Sequence, residues 1–348
     1  MSETRRVLAI DGRGRFVVIE QPVPEVKPGQ VRIRVGASLV SPGTELGGVR
    51  ARRERPDPGA SPRPFGYSNA GEVVSVGEGV TRFRPGQRIA AIGGGYALHA
   101  TDAVVPQNLC AELPDGVPYA RGAFGMLAAT ALHAIRRAAP EIGEHFLVVG
   151  LGPVGQLAAQ WARIAGTHTI AWDRLSLRLE VARRAGCDRT VNVGEEDPVA
   201  AAQAFSRGHG LDAAVMAFGG DGTEAFKQIL RCLKLSPDTH RMGRVVIVGG
   251  ATVQTPFAAA IGNVDLHSAA RTGPGYHDDA WEHGDEYPAV FLPWNTRRNL
   301  EECLRFIREG RLLVEPIITH RVSLDEAPAA CDALVERPNE ALGVVVQP

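Results

Sequence analysis

Six consecutive residues, Gly150-Leu151-Gly152-Pro153-Val154-Gly155, carry the sharpest chemical signal in this chain. The spacing G-x-G-x-x-G is weak by itself, and its context makes it strong. The apolar run Phe146–Val149 just before it reads as a strand, and the residues after it open a helix. An acid, Asp173, ends the next strand about twenty residues on. Gly150 permits a tight turn, Gly152 presents no side chain to a pyrophosphate, and Gly155 lets the helix pack close to its strand. The helix start then offers free N–H groups and a positive dipole end, and its first turn tolerates Pro153. Gly150, Gly152, Pro153, Val154 and Gly155 are therefore expected to hold a dinucleotide. Asp173 is placed to accept hydrogen bonds from the adenine-ribose hydroxyls and to repel a 2′-phosphate, so NAD is the expected cofactor. Arg174 and Arg178 keep NADP open, because either guanidinium suits a 2′-phosphate if Asp173 turns away.

A second concentration of chemistry lies at Thr272-Gly273-Pro274-Gly275-Tyr276-His277-Asp278-Asp279, followed by Trp281 and His283. An imidazole titrates near neutrality, so His277 is a candidate general acid/base. The alternative is a surface loop with an incidental histidine.

These residues need elements to hold them. The first third of the chain reads as short strands between Gly and Pro punctuation: Val31–Val35, Gly71–Val76, Arg88–Ile92 and Ala103–Val105. Such a series suggests a small β-barrel. An alanine-rich helix over Ala120–Ala139 follows. Strands and helices then alternate: strand His145–Gly150, helix Val154–Ala165, strand Thr169–Asp173, helix Leu175–Ala185, strand Arg189–Val193, helix Pro198–Ser206, strand Leu211–Phe218, helix Thr223–Leu233, strand Arg244–Gly249. Alternation with buried Val/Ile runs predicts a parallel, doubly wound α/β sheet. Phe218 and Gly249, at the ends of two of those strands, are assigned to the cofactor site. Thr272–Pro293 has no clear periodicity and reads as a long functional or mobile loop. Helices Asn299–Glu309 and Glu326–Glu336 and a closing strand Gly343–Val346 complete the chain.

Composition narrows the function classes. The 348 residues suggest two domains, and a net charge of −1 makes no electrostatic case for nucleic acid or an anionic membrane. No apolar stretch approaches the ~20 residues of a membrane span. The charged N-terminus fits neither a signal nor a transit peptide, so a cytoplasmic location is expected. The five cysteines (Cys110, Cys187, Cys232, Cys303, Cys331) are scattered, which argues against a disulfide framework and against a thiolate metal site.

Several segments resemble the medium-chain dehydrogenase/reductase superfamily: Ser41-Pro42-Gly43-Thr44-Glu45, Gly66-Tyr67-Ser68-Asn69-Ala70-Gly71-Glu72-Val73-Val74, Val76-Gly77, Pro85-Gly86-Gln87-Arg88-Ile89 and the glycine fingerprint. The wording Ser-Pro-Gly-Thr-Glu and Gly-Tyr-Ser is similar to a subgroup that includes bacteriochlorophyllide-type dehydrogenases. The resemblance covers nearly the whole chain. It implies a Rossmann dinucleotide-binding domain at 119–287, inserted in a GroES-like β-barrel catalytic domain at 1–118 and 288–348. It also implies that Thr130 lies beside the nicotinamide and that the 272–293 stretch closes over the active site.

The departures from that family bear on mechanism. Its zinc members have a Cys-Gly-Ser/Thr-Asp segment where this chain has Pro42 (or Ser41, with a one-residue shift), and Gly-His-Glu where it has Gly66-Tyr67-Ser68. The third ligand region, near Gly125-Met126, offers neither Cys nor Glu, and the four-cysteine lobe is missing. Catalytic zinc needs three protein ligands, so no metal is expected; Glu45 and His133 make too few. Tyr67 stands at the position of the zinc-binding histidine and Thr44 where zinc enzymes keep a proton-relaying hydroxyl. Tyr67 then serves as acid and electrophile, with Thr44 relaying, or else it packs in the barrel with its hydroxyl capping a loop. The expected function is zinc-independent, NAD(P)-dependent hydride transfer between the nicotinamide and a secondary alcohol or ketone of a sugar-like or natural-product substrate. NADPH-dependent reduction of an activated C=C bond and a cofactor-binding protein without turnover are the alternatives. The expected partner is a small molecule. A homodimer is expected through a sheet edge near Ala251–Ala258.

Overall fold

A computed structural model describes residues 3–348. The chain divides into two compact units, one made of residues 1–129 and 272–348, the other of 130–271. The divisions placed from sequence at 118/119 and 287/288 therefore move, so that 119–129 and 272–287 go with the barrel unit.

The 130–271 unit is built on a six-stranded parallel sheet. Its spatial order is Arg189–Asn192, His168–Asp173, His145–Val149, Ala213–Met216, Met242–Val248, Asn263–Ala269. In chain order that is 3-2-1-4-5-6, the doubly wound arrangement, whose direction reverses between the first and fourth strands. Phe146–Val149 and Ala213–Met216 are buried because helices lie on both faces of such a sheet. Leu147, Ile170, Trp172, Met216 and Val245 form the core with Phe226 and Ile229 of the helix Thr223–Cys232. The helices ending at Ile164 and Arg184 stop at Gly166 and Gly186, with φ of +93° and +90°, the left-handed caps the glycines imply. The sheet's edge is Asn263–Ala269 and not the expected 251–258 stretch. Ala251–Thr252 pairs instead with Gly220–Asp221, and Ala258–Ala260 is a single 3-10 turn.

The other unit is the β-barrel. Its larger sheet runs Ile318–Ser323, Gly343–Gln347, Gln30–Val40, Ser68–Val76, Arg88–Ile92, Cys110–Glu112, with Asp102–Pro106 also pairing Gln30–Val40. Thr4–Ile10, Phe16–Pro22 and Arg63–Pro64 make a smaller sheet. The last strand returns antiparallel to Gln30–Val40, Val344 opposite Val40, so the two ends of the chain close one barrel.

The single helix expected over 120–139 is two, Tyr119–Gly122 and Gly125–Ala138. The hydroxyl of Ser68 sits in the break. It donates to the carbonyl of Ala123 at 2.7 Å and accepts from the N–H of Met126 at 3.2 Å, groups that a continuous helix would have paired internally. Among the described residues no helix is long and apolar enough to cross a membrane.

Candidate active site

The glycine turn lies at the point where the strand order reverses. Gly150 has φ of +89°, and a side chain there would meet the Ala217 carbonyl and the Phe218 Cβ at 3.1 Å. A Cβ on Gly249 would lie 3.3 Å from the Phe218 carbonyl oxygen. Gly150, Phe218 and Gly249 are thus brought together at the carboxyl ends of their strands, where such sheets bind ligands. Gly155 packs so tightly that a Cβ would fall 1.8 Å from the Gly150 carbonyl oxygen. Gly152 differs: nothing lies within 4 Å of the position its Cβ would take. It opens the helix Pro153–Ile164 without a side-chain cap, so the helix N-terminus there is uncovered by side chains, with Val154 in the first turn. That geometry fits a pyrophosphate.

Asp173 does not turn away from this turn. Its Oδ2 accepts from Leu151 N–H at 2.6 Å, and its Oδ1 accepts from the N–H groups of Arg174 and Leu175 at 2.7 and 2.9 Å. Arg178 lies beside it, Nη1 to Oδ2 3.7 Å, and the Arg178 Nε is buried with no hydrogen-bond partner. Arg174 is exposed. Oδ2 is held toward the glycine turn and, accepting one N–H, retains lone-pair capacity for a ribose hydroxyl, whereas the two N–H groups on Oδ1 fill its capacity.

Thr130 stands half-buried on the helix Gly125–Ala138. His133 follows one turn on, and burial, with Arg137 and Arg136 beside it, lowers its pKa. A histidine whose folded value lies below its unfolded value, about 6.5, stabilises fully only above that value. Stability is then lost as pH falls through the range between the unfolded and folded values. Thermal unfolding of the His133→Gln variant should depend less on pH than the parent between neutral and mildly acid conditions; identical profiles would show that His133 is not part of the acid sensitivity.

In the barrel unit, Tyr67 begins the strand region that runs into Ser68–Val76, and its ring is buried, 8% exposed. Its backbone carbonyl accepts from Gly93 N–H at 2.9 Å. The side chains of Ser41 and Thr44 lie near enough to its hydroxyl to influence its protonation. Burial is the main influence that pushes the phenol pKa up, the nearby Glu45 charge adds to it, and the two hydroxyl contacts oppose it. Tyr67 is therefore protonated across the neutral range. The ring is packed in the barrel, with the Ser41 and Thr44 side chains beside its hydroxyl. Thr44 itself is exposed.

His277 does not join this group. It is exposed, at φ of +72°, and lines a cavity of about 300 Å³ with Gly94, Gly95, Tyr96, Asp279 and Glu282. Its neighbour Tyr276 makes the link. The Tyr276 hydroxyl accepts from Gly94 N–H at 2.7 Å, and its charge state acts on Tyr67. The expected irregular loop contains a short helix, Asp279–His283, capped by Asp278. Trp281 is 1% exposed and stacks on Tyr287 at 5.8 Å. Asn108 donates to the Trp281 and Asp285 carbonyls at 2.6 and 3.0 Å, so the segment is tied to the barrel.

Sequence reasoning passed over His99. Its Nε2 lies 3.2 Å from Glu45 Oε1, with side chains 0% and 4% exposed. The two are far apart in sequence, and a histidine inside Ala97-Leu98-His99-Ala100 looks like core packing. No group of three or more His, Cys, Asp or Glu that could hold a metal occurs among the described residues. The donor set where the zinc family binds its ion does not fit: Pro42 cannot coordinate, Ser68 is spent on the helix break, and Tyr67 is a protonated phenol.

Two family models match the chain. Residues 27–137 match the alcohol dehydrogenase GroES-like domain, and 153–275 the zinc-binding dehydrogenase domain. An alcohol dehydrogenase of Cupriavidus necator is 23% identical over 96% of each chain. A sorbitol dehydrogenase of Bacillus subtilis is 24% identical, over 94% of this chain and 92% of its own. An Escherichia coli oxidoreductase of unknown specificity shares the fold, with a TM-score of 0.80, 20% identity and 99% of each chain covered.

Proposed function

Because this chain belongs to the medium-chain dehydrogenase/reductase superfamily and is an NAD(P)-dependent oxidoreductase of that type, we propose that it interconverts a secondary alcohol and a ketone on a hydroxyl-rich, sugar-like substrate, with the Tyr67 phenol in the place of zinc. The observation that carries this reading is the buried Tyr67 ring, 8% exposed, whose phenol is kept protonated by that burial and by the Glu45 charge, with Ser41 and Thr44 beside it. The bound nicotinamide supplies or takes the hydride; the chain does the rest. Gly150, Gly152 and Gly155 seat the pyrophosphate, with Pro153 and Val154 in the helix turn beneath it. Asp173 takes the adenine ribose, which favours NAD over NADP, and Thr130, Phe218 and Gly249 border the cofactor. In reduction, Tyr67 O–H donates to the substrate carbonyl oxygen as the carbon gains hydride, and that proton completes the alcohol. The phenol recovers its proton from Thr44, whose exposed hydroxyl exchanges with water. Oxidation runs the same transfers backward.

The cavity beside Tyr276 supports a polyhydroxylated substrate. Tyr96, His277, Asp279 and Glu282 offer donors and acceptors around about 300 Å³, and His277 serves there as an orienting or proton-exchanging group. Burial raises the Glu282 pKa, and Glu282 Oε1 accepts from His277 N–H at 2.7 Å.

Chelation tests the metal-free mechanism. Protein dialysed exhaustively against a strong chelator should retain its NADH-dependent reduction of hydroxyketones, and added zinc should not raise it. Activity that disappears with the metal and returns with zinc would overturn the assignment of Tyr67. In the same preparation NADH should bind at least about tenfold more tightly than NADPH, as the placement of Asp173 requires.

A further inference from the structure

Behind Tyr67 the barrel buries a carboxylate and an imidazole that hydride transfer does not use. Glu45 closes the short helix Pro42–Glu45 and His99 packs against it; their side chains are 4% and 0% exposed. Each atom able to bond is engaged. Glu45 Oε1 faces His99 Nε2 at 3.2 Å, and Glu45 Oε2 accepts from Ser41 N–H at 2.6 Å. His99 Nδ1 is 2.8 Å from Ser38 Oγ. The edge of the imidazole rests on the Phe65 ring at 5.1 Å, and its backbone pairs with Phe65 and Leu8. The carboxylate therefore holds Ser41, the residue before the helix, while Thr44 is its neighbour within it. Ser41 and Thr44 are the two residues whose side chains lie beside the Tyr67 hydroxyl.

A buried ion-type pair stabilises a fold no better than well-packed apolar side chains of the same volume. Its retention here is accounted for by what it holds. We propose that Glu45 and His99 are positioning residues for Tyr67: the carboxylate, clamped by His99, locks the Ser41–Glu45 turn so that Ser41 and Thr44 stay beside the phenol. This rests on Tyr67 being the acid. The ionisable groups that act on Tyr67 are Glu45 and Tyr276, and Glu45 also acts on Cys331. Burial and the Glu45 charge both push the Cys331 thiol up, so it stays neutral and does not offset the carboxylate. The device gives an acid that remains loaded well into alkaline solution, with the exposed Thr44 as its route to solvent.

Ultraviolet titration of tyrosinate tests this without any need for turnover. Subtracting the Tyr67→Phe curve from the parent curve isolates Tyr67 from the other tyrosines, of which the chain has five in all. Tyr67 should be among the last to ionise. Glu45→Gln keeps the shape and an acceptor for Ser41 N–H while removing the charge. In that variant Tyr67 should ionise about one pH unit or more lower, and the alkaline limb of kcat/KM should move down with it. His99→Asn, which unclamps the carboxylate, should lower kcat more than it alters KM. A folded Glu45→Gln protein whose Tyr67 titration and alkaline limb stay where the parent has them would overturn the proposal. If Glu45→Gln does not fold, the parent curve decides: Tyr67 ionising with the exposed tyrosines equally sinks it. Should Tyr67→Phe leave turnover unchanged, the acid assignment falls, while the titration still reports whether Glu45 governs the phenol.

Discussion

Replacing Tyr67 with phenylalanine should cut kcat/KM for ketone reduction by a factor of roughly 10²–10⁴, the range for loss of a positioned proton donor. The ring is buried in the barrel, and phenylalanine keeps that packing, so the fold should survive. What disappears is one hydroxyl, beside Ser41 and Thr44. Burial and the Glu45 charge both hold the phenol proton, so at neutral pH the group is an acid waiting for a base. A carbonyl oxygen that gains negative charge as hydride arrives is such a base, and its stabilisation is concentrated in the transition state. KM should accordingly change less than kcat, and NADH binding should not change at all. Full turnover by the variant would remove Tyr67 from the mechanism.

Two glycines three residues apart should fail in opposite ways. Gly152→Val places its side chain in open space, on a backbone with φ of −62° that any residue adopts. Its melting temperature should stay near the parent's. Its affinity for NADH should fall on the order of 100-fold, because the new side chain occupies the cradle over the helix N-terminus where a pyrophosphate would lie. Gly155→Ala adds a smaller group, yet its Cβ would fall 1.8 Å from the Gly150 carbonyl oxygen. Helix and strand must separate to admit it, at a cost of about 1–3 kcal/mol. This variant should melt earlier, whatever its affinity. Energy transfer from tryptophan to NADH, measured beside thermal unfolding, separates the two effects. Parent-like NADH binding by Gly152→Val would mean that the dinucleotide is not held at this turn.

The parallel sheet and the glycine turn were legible in the sequence because their signals are local. A strand buried on both faces is a continuous apolar run, and a helix that must stop is followed by glycine, as at Gly166 and Gly186. The turn needs glycine at fixed offsets for steric reasons that 1.8 Å and 3.1 Å approaches make explicit. Boundaries were less legible. The alanine-rich run hides a break at Ala123–Phe124, since the hydroxyl that satisfies the broken backbone comes from Ser68, in another strand. The 272–293 stretch lacks periodicity, yet Trp281 is buried, and the barrel ties the segment down through Asn108, which donates to the Trp281 carbonyl, and Gln107, which donates to the His283 carbonyl.

By itself, then, the sequence determined the two-part α/β architecture, the dinucleotide turn with its acid, and the loss of the zinc family's ligands at Pro42, Tyr67 and Ser68. All of these depend on residue type at short, fixed spacing. Only the tertiary structure decided what surrounds those positions. It brought Ser41 and Thr44 near the Tyr67 hydroxyl, put His277 in the lining of a cavity with Tyr96 and Glu282, and set His99 against Glu45. Those contacts join strands and turns distant in the chain, and barrel closure alone determines which side chains meet inside it.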